Sequence, residues 1–206
     1  MLTLYGVYRS RASRNIWLAN ELGIPFKHVP IIQHYRLKEP IAAGVVHTKS
    51  PEFLAVNPNG HIPSMDDDGL VLHESLAINL YLAKKHGGPM APANVAEDGE
   101  MSMWSLWAVT ELENLTLSIA QNGEKSETLA ALKTPFGVLE KALAKTGWLV
   151  GGRFTVADVN VAEIVRYAAG AKSLFDVHPN VKKWYAACVG RPAYRKMWDA
   201  RDKEPV

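Results

Sequence analysis

The chain changes character once along its length. Up to residue 86, short strand-like runs alternate with helical ones; after residues 87–98 the strand signals stop and only helical periodicity continues. Leu2 to Tyr5 reads as a short apolar strand. Residues 10–22 read as a helix, because Ala12, Ile16, Ala19 and Leu22 fall on one face. Gly23 closes it and Pro25 prevents its continuation. Phe26 to Ile32 is a second strand, residues 33–50 are irregular, and Pro51 to Ala55 is a short helix capped by Ser50. Ile62 to Met65 and Leu70 to Leu72 flank Asp68-Gly69, a hairpin signal. Residues 74–86 form a helix with Ile78, Tyr81 and Leu82 on one face.

This order predicts an α/β domain over residues 1–86, βαβαββα, with a parallel pair first and a hairpin last. Residues 87–98 carry Gly87, Gly88, Pro89 and Pro92 without periodicity and read as a linker. Residues 99–206 read as an all-α bundle, with helices at about 99–122, 126–146, 155–171, 179–189 and 191–201. The stretch 155–171 is apolar on most sides, which predicts a central buried helix.

Charge balance narrows the partners. The chain carries 23 basic and 21 acidic residues, net +2, with no long run of one sign. That excludes a protein held mainly by nucleic-acid phosphates. A single cysteine, Cys188, excludes an internal disulfide framework and suits a reducing compartment. No basic-then-apolar leader follows Met1, and no apolar run approaches the roughly 18 residues that span a bilayer. The expectation is a soluble cytoplasmic protein with no membrane partner. The seven histidines show no ligand spacing with Cys or acids, so no metal is expected.

Three short motifs suggest chemistry. The first is Asn57-Pro58-Asn59-Gly60-His61-Ile62-Pro63-Ser64, a loop entering a strand. Pro63 cannot donate to a ladder, so it belongs at an edge or in a special turn. If the Ile62–Pro63 bond is cis, the peptide groups of Ile62 face outwards and can pair with an extended peptide, as an added strand would. The second is Glu74-Ser75, where a strand gives way to a helix. A hydroxyl beside free helix N–H groups suits a carboxylate, and an adjacent acid suits an ammonium. Together they match the two ends of an α-amino acid. The third is the loop from Tyr5 to Arg14, with Ser10 near a helix N-terminus that favours an anion. Arg11 and Arg14 add positive potential or form a solvated face. Each motif alone is equally served by a plain loop or a helix cap.

In combination they resemble the glutathione transferase family over nearly the whole chain. The matching pieces are Tyr5-Gly-x-x-x-Ser10, Asn57-Pro-x-Gly-x-x-Pro63, Glu74-Ser75, Gly151-Gly-Arg-Phe-Thr155-x-Ala-Asp158, Pro179-Asn-Val-x-x-Trp184 and Arg191-Pro-Ala193. In the fourth, Thr155 and Asp158 form a helix capping box. The resemblance implies a thioredoxin-like N-terminal domain followed by an all-helical one. It implies glutathione as co-substrate, a small hydrophobic electrophile, and a homodimer. Pro63 then stands at the family's cis proline, Ile62 binds the cysteinyl backbone, and Glu74 and Ser75 hold the γ-glutamyl end. His61 stands where a peptide-contacting residue is common, and His47 and Lys49 where the glycyl carboxylate is met. The thiolate donor is Ser10, with Tyr5 as the alternative. Tyr8, Trp104, Trp107 and Glu111 are candidates to line the electrophile pocket. The function implied is a detoxifying transferase that ionises glutathione; the alternative is a non-catalytic ligand-binding or regulatory protein on the same scaffold.

Overall fold

The computed structural model describes residues 1–204; residues 205 and 206, the end of the expected helical domain, lie outside the described residues. Two compact units are present: Met1–Leu82 together with the chain from Pro192 onward, and Ala83–Arg191.

The first unit holds a four-stranded sheet. Its strands are β1 (Leu2–Tyr5), β2 (Lys27–Val29), β3 (Ser64–Asp67) and β4 (Leu70–His73), in the order β2-β1-β3-β4. β1 pairs with β2 in parallel and with β3 antiparallel, and β3 pairs antiparallel with β4. The helices are α1 (Ala12–Leu22), α2 (Pro51–Leu54) and α3 (Ser75–His86). This is the expected βαβαββα order. Leu4 lies opposite Met65 across the β1–β3 pair, and both are buried. Gly23, in the left-handed conformation at φ 64°, ends α1 as its position predicts.

α1 is buried more completely than its periodicity predicts. Every residue from Ala12 to Ala19 is buried, the polar Ser13, Arg14 and Asn15 included. The reason is at the far end of the chain. α10 (Pro192–Lys203) packs on α1, with Tyr194 edge-on to Trp17 at 4.9 Å between ring centroids. The sequence places this last helix in the helical domain; the structure groups it with the sheet.

The second unit is helical. α4 (Val95–Trp107) runs through a π-helical segment, Ala108–Glu113, into α5 (Asn114–Asn122). α4 begins four residues before its expected start, inside the stretch read as linker, because Asn94 caps it by accepting from the Glu97 N–H at 3.0 Å. Arg153 holds this entry: it pairs with Glu97 and donates to the carbonyls of Pro89 and Ala91. α6 (Ser126–Thr146) and α9 (Pro179–Val189) meet where the Glu140 carboxylate accepts from the backbone N–H groups of Asn180 and Val181, an anion at a helix N-terminus. α7 (Val156–Val165) is the buried central helix, all ten residues inside. It ends earlier than expected, tightening to a 3-10 turn at Arg166–Ala168, and a short α8 (Lys172–Asp176) follows. No helix among the described residues is long and apolar enough to cross a membrane.

Candidate functional site

The loop before β3 is built around Asn57. Its side-chain nitrogen donates to the His61 carbonyl at 2.8 Å and to Ser64 Oγ at 3.0 Å. Its side-chain oxygen accepts from the Asn59 N–H, and its carbonyl from Gly60 N–H. Asn57 is buried and fixes both ends of the turn, a role beyond the punctuation read in the sequence. The Ile62–Pro63 peptide is cis. β3 starts at Ser64, so Ile62 and Pro63 lie ahead of the first paired residue. His61 is exposed. Gly60 has φ 62°, and a Cβ there would stand 2.7 Å from the Thr48 carbonyl oxygen. Gly60→Ala is therefore expected to cost about 1–3 kcal/mol of stability, since a left-handed backbone and a main-chain clash coincide. Urea unfolding checks this.

At the β4–α3 junction Glu74 has φ 71°. A non-glycine residue in this region is uncommon, and such backbone gathers at ligand sites. The Glu74 side chain is exposed. Ser75 next to it is buried, and its Oγ accepts from Arg14 Nη1 at 3.1 Å. Asn15 Nδ2 donates to the Ser75 carbonyl at 2.8 Å and to Asn79 Oδ1 at 2.7 Å. A positive charge thus lies under the Glu74-Ser75 turn. Arg14 is 1% exposed, so it belongs to no solvated face. Asn15 and Asn79 carry no sequence signal of their own; only the fold brings them beside Ser75.

Residues 33–50 are better ordered than their composition suggests. Ile32 and His47 form an isolated parallel bridge, and the His47 N–H donates to Ser50 Oγ at 2.9 Å. His47 Nδ1 accepts from the Lys49 N–H at 3.1 Å, which leaves Nε2 as the ring nitrogen that carries a proton. The Lys49 side chain is exposed.

Ser10 stands just before α1. Its hydroxyl donates to the Val7 carbonyl at 2.6 Å and accepts from the Ala12 N–H at 3.0 Å. Tyr5 lies on β1 with its ring 6.4 Å from that of Phe53. Burial raises its phenol above the ordinary value, and the nearby Asp66 charge adds to this. Tyr8 packs edge-on to His28 at 4.9 Å, and burial, with Glu204 second, raises its phenol too.

The other three candidates belong to the helical unit. Trp104 and Trp107 meet edge to face at 5.2 Å. Trp104 is buried, Trp107 half-buried, and Glu111 exposed on the π-helical segment. No periodicity in the sequence announces that segment, which interrupts the helix that carries both tryptophans.

A small mixed sheet with a cis proline ahead of an inner strand, followed by a helical unit, defines a thioredoxin-like fold with a helical companion domain. Comparison with known proteins gives the same class. Residues 4–90 match the glutathione S-transferase N-terminal domain, and residues 107–192 match the C-terminal domain. Glutathione S-transferase 3 of Zea mays is 31% identical over 215 residues, covering 95% of this chain and 92% of its own. Glutathione S-transferase GstB of Escherichia coli is 29% identical, covering 96% and 97%. The crystal structure of glutathione transferase URE2P6 from Phanerochaete chrysosporium in complex with oxidized glutathione aligns with TM-score 0.80 at 26% identity, covering 98% and 96%. The chain belongs to the glutathione S-transferase family.

Proposed function

We propose that this glutathione transferase stabilises the thiolate of bound glutathione through Ser10 and directs it at a small hydrophobic electrophile. The observation that carries the reading is the Ser10 hydroxyl, held as an acceptor by Ala12 N–H while its own proton rests on a neutral carbonyl. A thiolate is the better acceptor, since charge-assisted hydrogen bonds are about twice as strong as neutral ones. Rotating one O–H therefore exchanges the Val7 carbonyl for sulfur and leaves the backbone in place. A free thiol has a pKa of about 8.5. One hydroxyl donor to an anion contributes about 1.5–3 kcal/mol, and the helix N-terminus about 0.3–1. Together they lower the thiol pKa by about one to three units. Tyr5 is less suited: its phenol is a weaker acid than usual, and Asp66 opposes an anion beside it.

In this reading glutathione lies along Ile62, whose peptide groups pair with its cysteinyl backbone beside Pro63. Its γ-glutamyl ammonium meets Glu74, and its γ-glutamyl carboxylate meets Ser75 over the buried Arg14. His61 flanks the peptide. His47 Nε2 and the exposed Lys49 ammonium take the glycyl carboxylate. The family resemblance assigns Tyr8, Trp104, Trp107 and Glu111 to the electrophile; within the helical unit Trp104 is buried against Trp107. A homodimer is supported by the exposed apolar side chains Met103, Leu106 and Val109 on consecutive turns of the helical unit. Light scattering tests it. A cytoplasmic, detoxifying role completes the reading.

Glu74 provides the test of the binding mode. Glu74→Ala is expected to weaken glutathione binding about tenfold or more, the loss of one charged hydrogen bond. An analogue lacking the γ-glutamyl amino group should bind the wild type poorly and the variant no worse than glutathione. Calorimetry that finds equal discrimination in both proteins removes this assignment.

A further inference from the structure

The loop that carries Ser10 is held by the last described turn of the chain. The backbone N–H groups of Tyr8 and Arg9 donate to the two carboxylate oxygens of Glu204, each at 2.8 Å. The Arg201 guanidinium donates to the Tyr8 carbonyl. Arg9 answers from its side chain, Nε to the Arg201 carbonyl at 3.2 Å and Nη2 to the Asp202 carbonyl at 3.4 Å. A cation thereby meets the carbonyls at the C-terminal end of α10, where the helix dipole favours one. α10 is itself anchored: Tyr194 stacks on Trp198 at 5.6 Å, and Arg201 lies over the Trp198 ring at 5.1 Å.

Most of the peptide groups between Gly6 and Arg9 are thus tied down. Gly6 N–H donates to the Val29 carbonyl, and the Gly6 carbonyl meets His28 Nε2 at 2.6 Å. The Val7 carbonyl takes the Ser10 hydroxyl. The next two N–H groups and the Tyr8 carbonyl are held from residues 201–204. Without Glu204, two consecutive donors just before Ser10 would have only water, and the loop that aims the Ser10 side chain would lose two of its charge-assisted external ties.

We propose that Glu204 is a positioning residue for thiolate formation: its carboxylate fixes the two peptide groups preceding Ser10 and so aims the hydroxyl. The proposal rests on Ser10 as the thiolate donor. Its sign is diagnostic. A negative charge acting through space disfavours a nearby thiolate, so removing it by charge alone lowers the thiol pKa. Loss of positioning raises it.

The experiment titrates the ultraviolet absorbance of the glutathione thiolate on saturated wild type, Glu204→Ala, Glu204→Gln, Ser10→Ala and the Ser10→Ala/Glu204→Ala double variant. Glu204→Ala is expected to lower the thiolate-to-thiol ratio about threefold, the change set by half a pKa unit. Glu204→Gln keeps one acceptor oxygen and should fall between it and wild type. Glutathione Kd should stay within about twofold, because the γ-glutamyl contacts are elsewhere. In the Ser10→Ala background the Glu204 effect should vanish, since the two act as one unit. An unchanged or lowered thiol pKa in Glu204→Ala overturns the proposal, as does an equal rise in both backgrounds. Should Ser10→Ala itself retain the wild-type thiolate, the Ser10 reading fails and takes the proposal with it; the two failures are separable in one data set.

Discussion

Replacing Ser10 by alanine is expected to raise the pKa of bound glutathione by one to two units, roughly, and so to cut its thiolate-to-thiol ratio about ten- to a hundredfold. The hydroxyl is one atom, but nothing replaces it: the Val7 carbonyl it touches is an acceptor, and Ala12 N–H is a backbone group fixed by α1. Binding itself should survive, because Glu74, Ser75 and the Ile62 peptide are untouched. The expected pattern is a fall in kcat at high pH-independent affinity, which separates loss of anion stabilisation from loss of binding. Tyr5→Phe should leave the titration nearly unchanged. Thiolate absorbance against pH reads both variants, and the reverse ranking would move the donor to Tyr5.

Asp158→Ala is expected to lower stability by about 3–5 kcal/mol, enough to remove a large share of the usual margin. The Asp158 carboxylate is fully buried at the start of α7. It accepts from Thr155 N–H at 2.8 Å, Thr155 Oγ1 at 3.1 Å, Leu149 N–H at 3.2 Å and Trp184 Nε1 at 2.8 Å. Alanine would strand all four donors. Burial outweighs these bonds and lifts the carboxyl from 3.8 to about 6. A folded value above the unfolded one means that this group's contribution is complete below about 4 and declines as pH rises through about 6. Urea unfolding at several pH values checks both points: the large loss in Asp158→Ala, and a flatter pH dependence over that window in Asp158→Asn.

What the sequence made legible was short-range. Pro63 and Gly60 are punctuation, and that reading survives because each acts on its own backbone. The Thr155–Asp158 capping box is another case, since both partners lie within one turn. What stayed hidden depends on distant neighbours. Arg14 and Arg11 are three residues apart on a helix and resemble an exposed face, yet Arg14 meets Ser75 across 61 positions of sequence. Glu204 reaches Tyr8 across 196. Nothing local marks either one. The Asn94 cap was within reach, as an Asn three residues before an acid, but the glycines and prolines around it read more strongly as linker. Glu74 gives no sign in the sequence of its left-handed backbone; only the junction it spans demands it.

The placement of α10 against α1 bears on how the protein is made. The sheet-bearing unit is assembled from two separate stretches, Met1–Leu82 and the chain from Pro192 onward, with Ala83–Arg191 interposed. Until synthesis has passed α10, Trp17 has no Tyr194 to cover it, and the nascent sheet waits for that helix. A fragment ending at the linker would carry that bare tryptophan permanently.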